Sequence, residues 1–284
     1  MGVRIYKNEP LSKHTSFKIG GPADYLLEIP SEKSLMEFLK NSSNEKIFIL
    51  GGGTNVLFCD EGFRGIIVKL TGDFEKFSFC QNKLICGASA NLSAVLRECA
   101  KRNLSGLECC AGIPGTVGGA VFGNAGDKDC GICGAVFSID IVNNMYKELI
   151  DRKKLVCEYR KTNISGIITN VNFLLTQSER NGILREILDS KIYKRRQTQP
   201  IGIPNAGCVF KNPTGESAGK LIDLAGLKGT KIGGAKISEI HANFIVNENN
   251  AKASDVLDLI NMVKRKIKNI FGIALQEEIR VIKE

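Results

Sequence analysis

The chain has 284 residues, 43% hydrophobic and 24% charged, with a formal charge of +9. This composition suits an ordinary folded protein of about two domains, and the longest apolar runs, such as KIFIL and GIIVKL, are far too short to span a bilayer. Ten cysteines without regular spacing, behind an N-terminus (MGVRIYKNEP) that lacks the apolar core of a secretory signal, lead us to expect reduced thiols and a cytoplasmic location.

In chain order, SEKSLMEFLKN predicts a helix with Leu35, Phe38 and Leu39 on one face behind a Ser31 cap. KIFIL predicts a buried strand ending at Gly51, and GIIVKL and KLICGAS predict two more. NLSAVLRECAKRN predicts a helix that turns Leu92, Val95, Leu96 and Cys99 inward. A glycine-rich region follows, from Gly112 to Gly126. VFSIDIVNNMYKELI reads as a hairpin, GIITNVNFLL as a strand, and residues 179–197 as a polar helix ending before Pro200. ESAGKLIDLAGLKG reads as a short helix stopped by Gly226 or Gly229, and ANFIVN as a strand. ASDVLDLINMVKRKIKNIFG reads as an amphipathic helix with Val256, Leu259, Ile260, Val263, Ile267 and Ile270 inward, and LQEEIRVI as a closing strand. The fold class is α+β, with a natural boundary near residues 180–200 and no internal repeat.

A charge of +9 can attract polyanions, nucleic acid among them, or small anionic ligands. The cluster KRKIK (264–268) lies on the amphipathic helix and reads as a solvated face. The cluster YKRRQ (193–197) stays open to an anion. CGIC, from Cys130 to Cys133, has the spacing of a redox or metal pair. A zinc site needs two further ligands, and the chain offers only His14, His241 and no second such pair. No metal site is expected, and Cys109 and Cys110 read as core.

ILGGGTNVLF (49–58) sets three glycines directly after a strand. Glycine lets backbone N–H groups approach a phosphate, but the pattern is neither of the standard nucleotide fingerprints. A plain turn between strands fits equally well. GIPGTVGGAVFGNAG (112–126) holds six glycines and no charge in fifteen residues. It suits close packing against a large flat ligand, or a tight crossing of two backbones. Two such loops without a Walker lysine suit a dinucleotide cofactor.

Nine stretches in this order then resemble one family: HTSFKIGGPADYL, GGGTNVL, GIPGTVGGAVFGNAG, YR (159–160), RRQTQP, NAGCVFKNP, AGKLIDLAGLKG, GGAKISEIHANFIVN and FGIALQEEIRVI. Together they resemble the UDP-N-acetylenolpyruvoylglucosamine reductase family in its shorter, second type, over nearly the whole chain. The resemblance implies a two-subdomain FAD-binding module of the vanillyl-alcohol-oxidase/PCMH type, residues 1–55 and 56–180, and a C-terminal α+β substrate-binding domain, residues 181–284. It implies FAD held by Gly51, Gly52, Gly53, Thr54 and Asn55. Gly112, Pro114, Gly115, Thr116, Gly118, Gly119, Asn124 and Gly126 would line the cofactor, and Arg196 would make an anion contact. NADPH would reduce the flavin. The enolpyruvyl ether of UDP-N-acetylglucosamine would then take hydride at C3 and a proton at C2, giving UDP-N-acetylmuramate in peptidoglycan precursor synthesis.

In that chemistry Arg160 would hold the substrate carboxylate and stabilise the developing anion. Cys208 stands where the family usually has serine. A thiol, with a reference pKa of about 8.5, gives up a proton more readily than a hydroxyl, so Cys208 is read as the proton donor. Glu278 matches the second catalytic acid, while Gln276 replaces a usual glutamate and Ile164 a usual aromatic. Strand parity puts Gln276, Glu278 and Arg280 on one face and Glu277 on the other. Lys211 and Asn212 match substrate-binding positions, and His241 reads as a structural histidine. The expected partner is the small UDP-sugar, with no nucleic acid and no membrane, and a monomer is expected. Two rivals remain at this point: a flavin oxidase of a small alcohol, which leaves AGCVFKNP unexplained, and a basic nucleic-acid-binding module, which would want exposed aromatics among its basic residues.

Overall fold

A computed structural model describes residues 2–283 except 43–44, 128–129, 144–145 and 180–181. The first elements are β1 (Arg4–Pro10), β2 (Pro22–Ile29), α1 (Glu32–Asn41), β3 (Ile47–Ile49), β4 (Val56–Phe58), β5 (Phe63–Leu70), β6 (Phe77–Cys80), β7 (Lys83–Gly87), α2 (Leu92–Lys101) and β8 (Leu104–Ser105). Next come α3 (Val117–Phe122), β9 (Val136–Asn143), β10 (Tyr146–Asp151), β11 (Cys157–Glu158), β12 (Lys161–Thr162), β13 (Ile167–Leu174), β14 (Thr176–Gln177) and α4 (Ile183–Thr198). The last are β15 (Asn205–Cys208), α5 (Ala218–Leu224), β16 (Lys231–Ile232), β17 (Ala235–Ile237), β18 (Phe244–Asn247), α6 (Ala253–Phe271) and β19 (Arg280–Ile282). Strands β1, β2, β5 and β3 form a four-stranded sheet in that order.

The chain separates into two compact units: residues 1–6, 26–52 and 67–194, and residues 7–25, 53–66 and 195–284. This differs from the three consecutive segments read from the sequence. The reason lies in the second unit's core, where Phe17, Ile19 and Leu57 pack with the α6 residues Val256, Leu259, Ile260 and Val263. There β19 also pairs parallel with β4, Arg280 opposite Val56. Early segments are thereby drawn to the C-terminal core. The expected boundary at 180/181 and the hairpin turn at 144–145 lie outside the described residues.

In the first unit, a five-stranded antiparallel sheet has the order β10-β9-β13-β7-β6. Strands β9 and β10 are the expected hairpin, with Tyr146 opposite Asn143. Helix α1 starts where Ser31 Oγ accepts from the Ser34 N–H, and α2 where Asn91 Oδ1 accepts from the Ala94 N–H at 2.9 Å. The buried residues of α2 are the four expected, Leu92, Val95, Leu96 and Cys99.

In the second unit, β15-β18-β17-β16 form a sheet that shares its core with α5 and α6. The N-terminus of α6 is capped by a residue distant in sequence: the Asp60 carboxylate accepts from the Ala253 and Ser254 N–H groups at 2.7 and 3.0 Å. Five of the six expected inward residues of α6 are buried, but Ile270 is 52% exposed. The helical angle does not account for this, because Ile270 lies nearer the centre of the buried stripe than Leu259 does. Ile270 falls in the last turn of α6, where Phe271 packs against the core instead. The expected closing strand is also shorter than LQEEIRVI. Only Arg280–Ile282 is strand, and Glu277 makes an isolated bridge to Phe210. The strand-parity argument for Glu278 therefore fails, because a bend at Ile279 interrupts the alternation.

Candidate active site

The first unit brings the two glycine-rich stretches together. A Cβ on Gly52 would fall 2.8 Å from Gly115 Cα, and one on Gly51 would fall 2.9 Å from Thr116 Oγ1. The second stretch is not the continuous loop expected, because Val117–Phe122 within it is helix α3. Thr116 caps that helix through its hydroxyl, which accepts from the Gly119 N–H. The backbone just before α3 is laced to residues 88–92: Leu92 N–H to Gly115 O, Val117 N–H to Ala90 O and Gly118 N–H to Ala88 O, at 3.1, 3.0 and 2.7 Å.

Gly118 and Gly126 fit a tight crossing of backbones. A Cβ on Gly118 would meet Ala88 Cβ at 2.8 Å, and one on Gly126 would meet the Cys130 carbonyl at 2.0 Å. Gly119 differs. It is exposed, and within 4 Å its Cβ would meet only Thr116 Oγ1, at 3.2 Å. Gly112 and Gly115 have φ of 74° and 130°, a region that favours glycine. Pro114 between them is exposed.

Arg160 lies in the two-residue turn between β11 and β12. Its φ of 55° is left-handed, a conformation costing a non-glycine residue about 1–2 kcal/mol. The side chain is held firmly. Nη2 donates to Gly126 O at 2.9 Å, Nη1 to Asn124 O at 3.5 Å, and the guanidinium lies 5.0 Å from the Tyr159 ring centroid. A guanidinium has five donors in a fork, and these bonds use part of that capacity. Asn124 is a keystone here. Its Nδ2 donates to Glu158 O, and its Oδ1 accepts from the Cys133 N–H.

The second unit brings Gly53, Thr54, Asn55, Cys208, Lys211, Asn212 and Glu278 into one linked set. Gly53, at φ 64°, presses on His14, where a Cβ would fall 2.1 Å from the carbonyl. Ser16 fastens the loop: its N–H donates to Gly53 O at 3.0 Å, and its hydroxyl to Asn205 O at 2.6 Å. Thr54 O lies 4.0 Å from where a Gly207 Cβ would be. Asn55 Nδ2 donates to Glu278 O at 3.1 Å, and Asn55 O accepts from the Arg280 N–H.

Cys208 ends β15, which pairs with β18 through a register shift between Asn205 and Cys208. Gly207, at φ 78°, makes this bulge possible, and Asn205 Oδ1 accepts its N–H. Bulges re-aim side chains next to active sites. Cys208 is a half-buried, reduced thiol. The following residues are gripped from two sides. Val209 N–H donates to Asn243 O, while the buried Asn243 side chain accepts from Phe210 N–H and donates to Phe210 O, at 2.9 and 2.8 Å. On the other side, Glu278 N–H donates to Val209 O and Lys211 N–H to Gln276 O, both at 2.8 Å. Val209, the residue after Cys208, is thus joined to Glu278 by one backbone hydrogen bond.

Asn212 Oδ1 accepts from the Ala218 N–H, so it also shapes the entry to α5. Glu277 forms an ion pair with Lys264. Arg196 is exposed on the last turn of α4. Burial lowers the pKa of His241, and its Nδ1 accepts from the Asn243 N–H. Ser16 and Asn243 escaped the sequence reading, although both lie within motifs that carried the resemblance, and their partners are distant in sequence. Among the described residues no group of three or more His, Cys, Asp or Glu is placed to hold a metal, and no helix is long and apolar enough to cross a membrane.

Residues 199–282 match the family model described as UDP-N-acetylenolpyruvoylglucosamine reductase, C-terminal domain, and residues 23–145 match that of an FAD binding domain. UDP-N-acetylenolpyruvoylglucosamine reductase 2 of Symbiobacterium thermophilum is 38% identical over 98% of this chain and 92% of its own length. The reductase of Bacillus subtilis is 38% identical over 98% and 94%. The crystal structure of the enzyme from Thermus caldophilus is similar over 100% of both chains, with a TM-score of 0.87 and 33% identity. At these identities over nearly its whole length, the chain belongs to the UDP-N-acetylenolpyruvoylglucosamine reductase family.

Proposed function

We propose that this chain reduces the enolpyruvyl ether of UDP-N-acetylglucosamine to UDP-N-acetylmuramate, with FAD as carrier and NADPH as reductant. The reaction is placed in the cytoplasm and assigned to a single chain. Residues 1–55 and 56–180 would serve the flavin and 181–284 the sugar nucleotide. The observation that most supports this reading is the linkage Cys208–Val209–Glu278, which sets a thiol beside a carboxylate-bearing residue.

The residues present fit FAD. A loop that receives a diphosphate turns its carbonyls away, and the carbonyls of Gly53 and Asn55 are both taken by protein donors. The exposed face at Gly119 carries no side chain, so a flat ring system can approach the backbone. Gly51, Gly52, Thr54, Gly112, Pro114, Gly115, Thr116 and Asn124 would complete the cradle, with Gly118 and Gly126 fixing its backbone. When bound, the flavin supplies the hydride. Arg160 binds the substrate carboxylate and lowers the cost of charge at C2. Cys208 holds the proton that C2 receives, and Glu278 polarises the same centre. Lys211, Asn212 and Arg196 meet the phosphates and sugar.

The test is anaerobic. NADPH should bleach the visible flavin band, and enolpyruvyl-UDP-N-acetylglucosamine should restore it promptly. Bleaching without restoration would leave a flavoprotein acting on another acceptor.

A further inference from the structure

The hairpin that carries Arg160 is too small to hold its own shape. Strands β11 and β12 pair at two positions, Cys157 with Thr162 and Glu158 with Lys161. An isolated two-stranded hairpin is marginally stable at best. Tyr159 and Arg160 form its turn, and Arg160 sits at φ 55°. A non-glycine residue keeps such a conformation where its surroundings over-determine it. Something outside the hairpin must therefore fix the turn.

Four side-chain bonds do so, and all of them reach one short stretch, residues 122–126. Thr162 Oγ1, on the strand that leaves the turn, donates to the Phe122 carbonyl at 2.8 Å. Asn124 Nδ2 donates to the Glu158 carbonyl at 2.9 Å, on the strand that enters it. The Arg160 guanidinium donates to the carbonyls of Asn124 and Gly126. The stretch itself is anchored to α3, since the Gly123 N–H donates to Gly119 O and the Ala125 N–H to Ala120 O. At the base of the hairpin, Asn163 Oδ1 accepts from the Val156 N–H and Nδ2 donates to Lys154 O, at 2.9 and 3.0 Å. Leu155 and Ile164, which flank the two strands, are buried. Of the residues that reach 122–126, Asn124 and Arg160 already have parts in the proposed chemistry. Thr162 has none.

We propose that Thr162 is a positioning residue for Arg160. Its hydroxyl holds the outgoing strand to the end of α3 and so keeps the guanidinium where a carboxylate can meet it. The role rests on the reading of Arg160 given above. Without the hydroxyl, the turn is tied to residues 122–126 by its incoming strand and the guanidinium alone, and the left-handed residue can relax. A displaced guanidinium penalises the substrate it would hold and leaves hydride transfer into the flavin untouched.

The test compares Thr162→Val, which removes the hydroxyl and keeps the shape, with Thr162→Ser, which keeps the hydroxyl. Each holoprotein is reduced with NADPH without oxygen and mixed with enolpyruvyl-UDP-N-acetylglucosamine over a range of concentrations. In Thr162→Val, flavin reduction should match wild type. The substrate concentration giving half-maximal reoxidation should rise on the order of tenfold, near the upper net value of one hydrogen bond. Thr162→Ser should behave as wild type. Unchanged half-saturation in Thr162→Val, a serine variant as impaired as the valine one, or equal losses in both half-reactions would overturn the proposal. Hydrogen exchange of the 157–162 amides, read by mass on the same proteins, needs no substrate and should quicken in Thr162→Val alone. A wild-type chain that leaves the enolpyruvyl compound untouched would refute the functional reading. Exchange then decides on Thr162 by itself: equal rates in all three proteins would refute the tie, and faster exchange in the valine variant alone would leave it standing.

Discussion

Cys208 is where residue chemistry and backbone geometry meet. The bulge at Gly207 sets its direction, and the bonds to Asn243 and from Glu278 fix the residue that follows. If its thiol delivers the proton, Cys208→Ala should reduce flavin with NADPH at the normal rate, yet lose about 10²–10⁴-fold in enolpyruvyl-dependent reoxidation. Cys208→Ser should retain part of that rate. Rapid-mixing absorbance separates the two half-reactions, and an alanine variant that reoxidises like wild type would remove Cys208 from the role. Asn243 offers a second test. Its removal leaves the buried Phe210 N–H and C=O unsatisfied, a cost of about 1–3 kcal/mol for each group. Asn243→Ala should unfold at distinctly lower urea. At low denaturant its reoxidation step should suffer more than its flavin reduction, because the segment carrying Cys208 loosens. Equal losses in both steps would reduce Asn243 to a general stabiliser. The identity of Cys208 could be read from NAGCVFKNP, but the bulge could not. It arises from pairing with β18, some forty residues later, as does the grip of Asn243.

At the scale of elements, the sequence was legible where a helix carried its own cap and stripe, as in α1 and α2. It misled where a partner decided the outcome. LQEEIRVI has strand composition, but only Arg280–Ile282 finds a neighbour in β4. The glycine-rich stretch looked like a loop because glycine is a poor helix former, yet Thr116 caps a helix there. Two glycines of α3 separate packing from ligand approach. Gly118→Ala would drive a Cβ to 2.8 Å from Ala88 and should cost about 1–3 kcal/mol. Gly119→Ala meets only a threonine hydroxyl, and alanine is the better helix former by about 1 kcal/mol, so stability should hold or rise. Flavin affinity should nevertheless fall if the flavin lies on that face. Urea midpoints and flavin titration measure the two effects, and unaltered flavin binding by Gly119→Ala would move the cofactor elsewhere. Helix α6 borrows its cap from Asp60. Burial raises this carboxyl's pKa, but the Ser254 and Ala253 N–H bonds outweigh it and hold the value below the usual one. A lowered pKa contributes stability that is present above the unfolded value, about 3.9, and is lost as pH falls through the folded value. Asp60→Ala should therefore cost about 0.5–2 kcal/mol at neutral pH. The gap from wild type should close in acid. A gap that persists at low pH would mean that packing, and not the charged cap, sets the cost.

For the whole molecule, the charge of +9 acquires a purpose if every ligand is an anion. FAD, NADPH and the UDP-sugar all carry a diphosphate, so the same excess charge that suggested nucleic acid would then serve small anionic nucleotides. Binding to the native state alone stabilises by mass action, about 2.7 kcal/mol when ligand stands at a hundred times its dissociation constant. For a chain of this size that corresponds to a rise in Tm on the order of 5 °C. Protein stripped of flavin should melt lower than the holoprotein and recover when FAD is added. Riboflavin shares the ring but lacks the diphosphate, so at equal concentration it should restore little, because Gly51–Asn55 would then have nothing to receive. A short DNA duplex, strongly anionic but without a ring for the Gly119 face, should not mimic FAD at moderate salt, where nonspecific charge contacts are screened. Scanning calorimetry across these ligands weighs the ring against the diphosphate. Riboflavin as effective as FAD would take the diphosphate off the triple-glycine loop, and a duplex as effective as FAD would return the molecule's charge to nucleic acid.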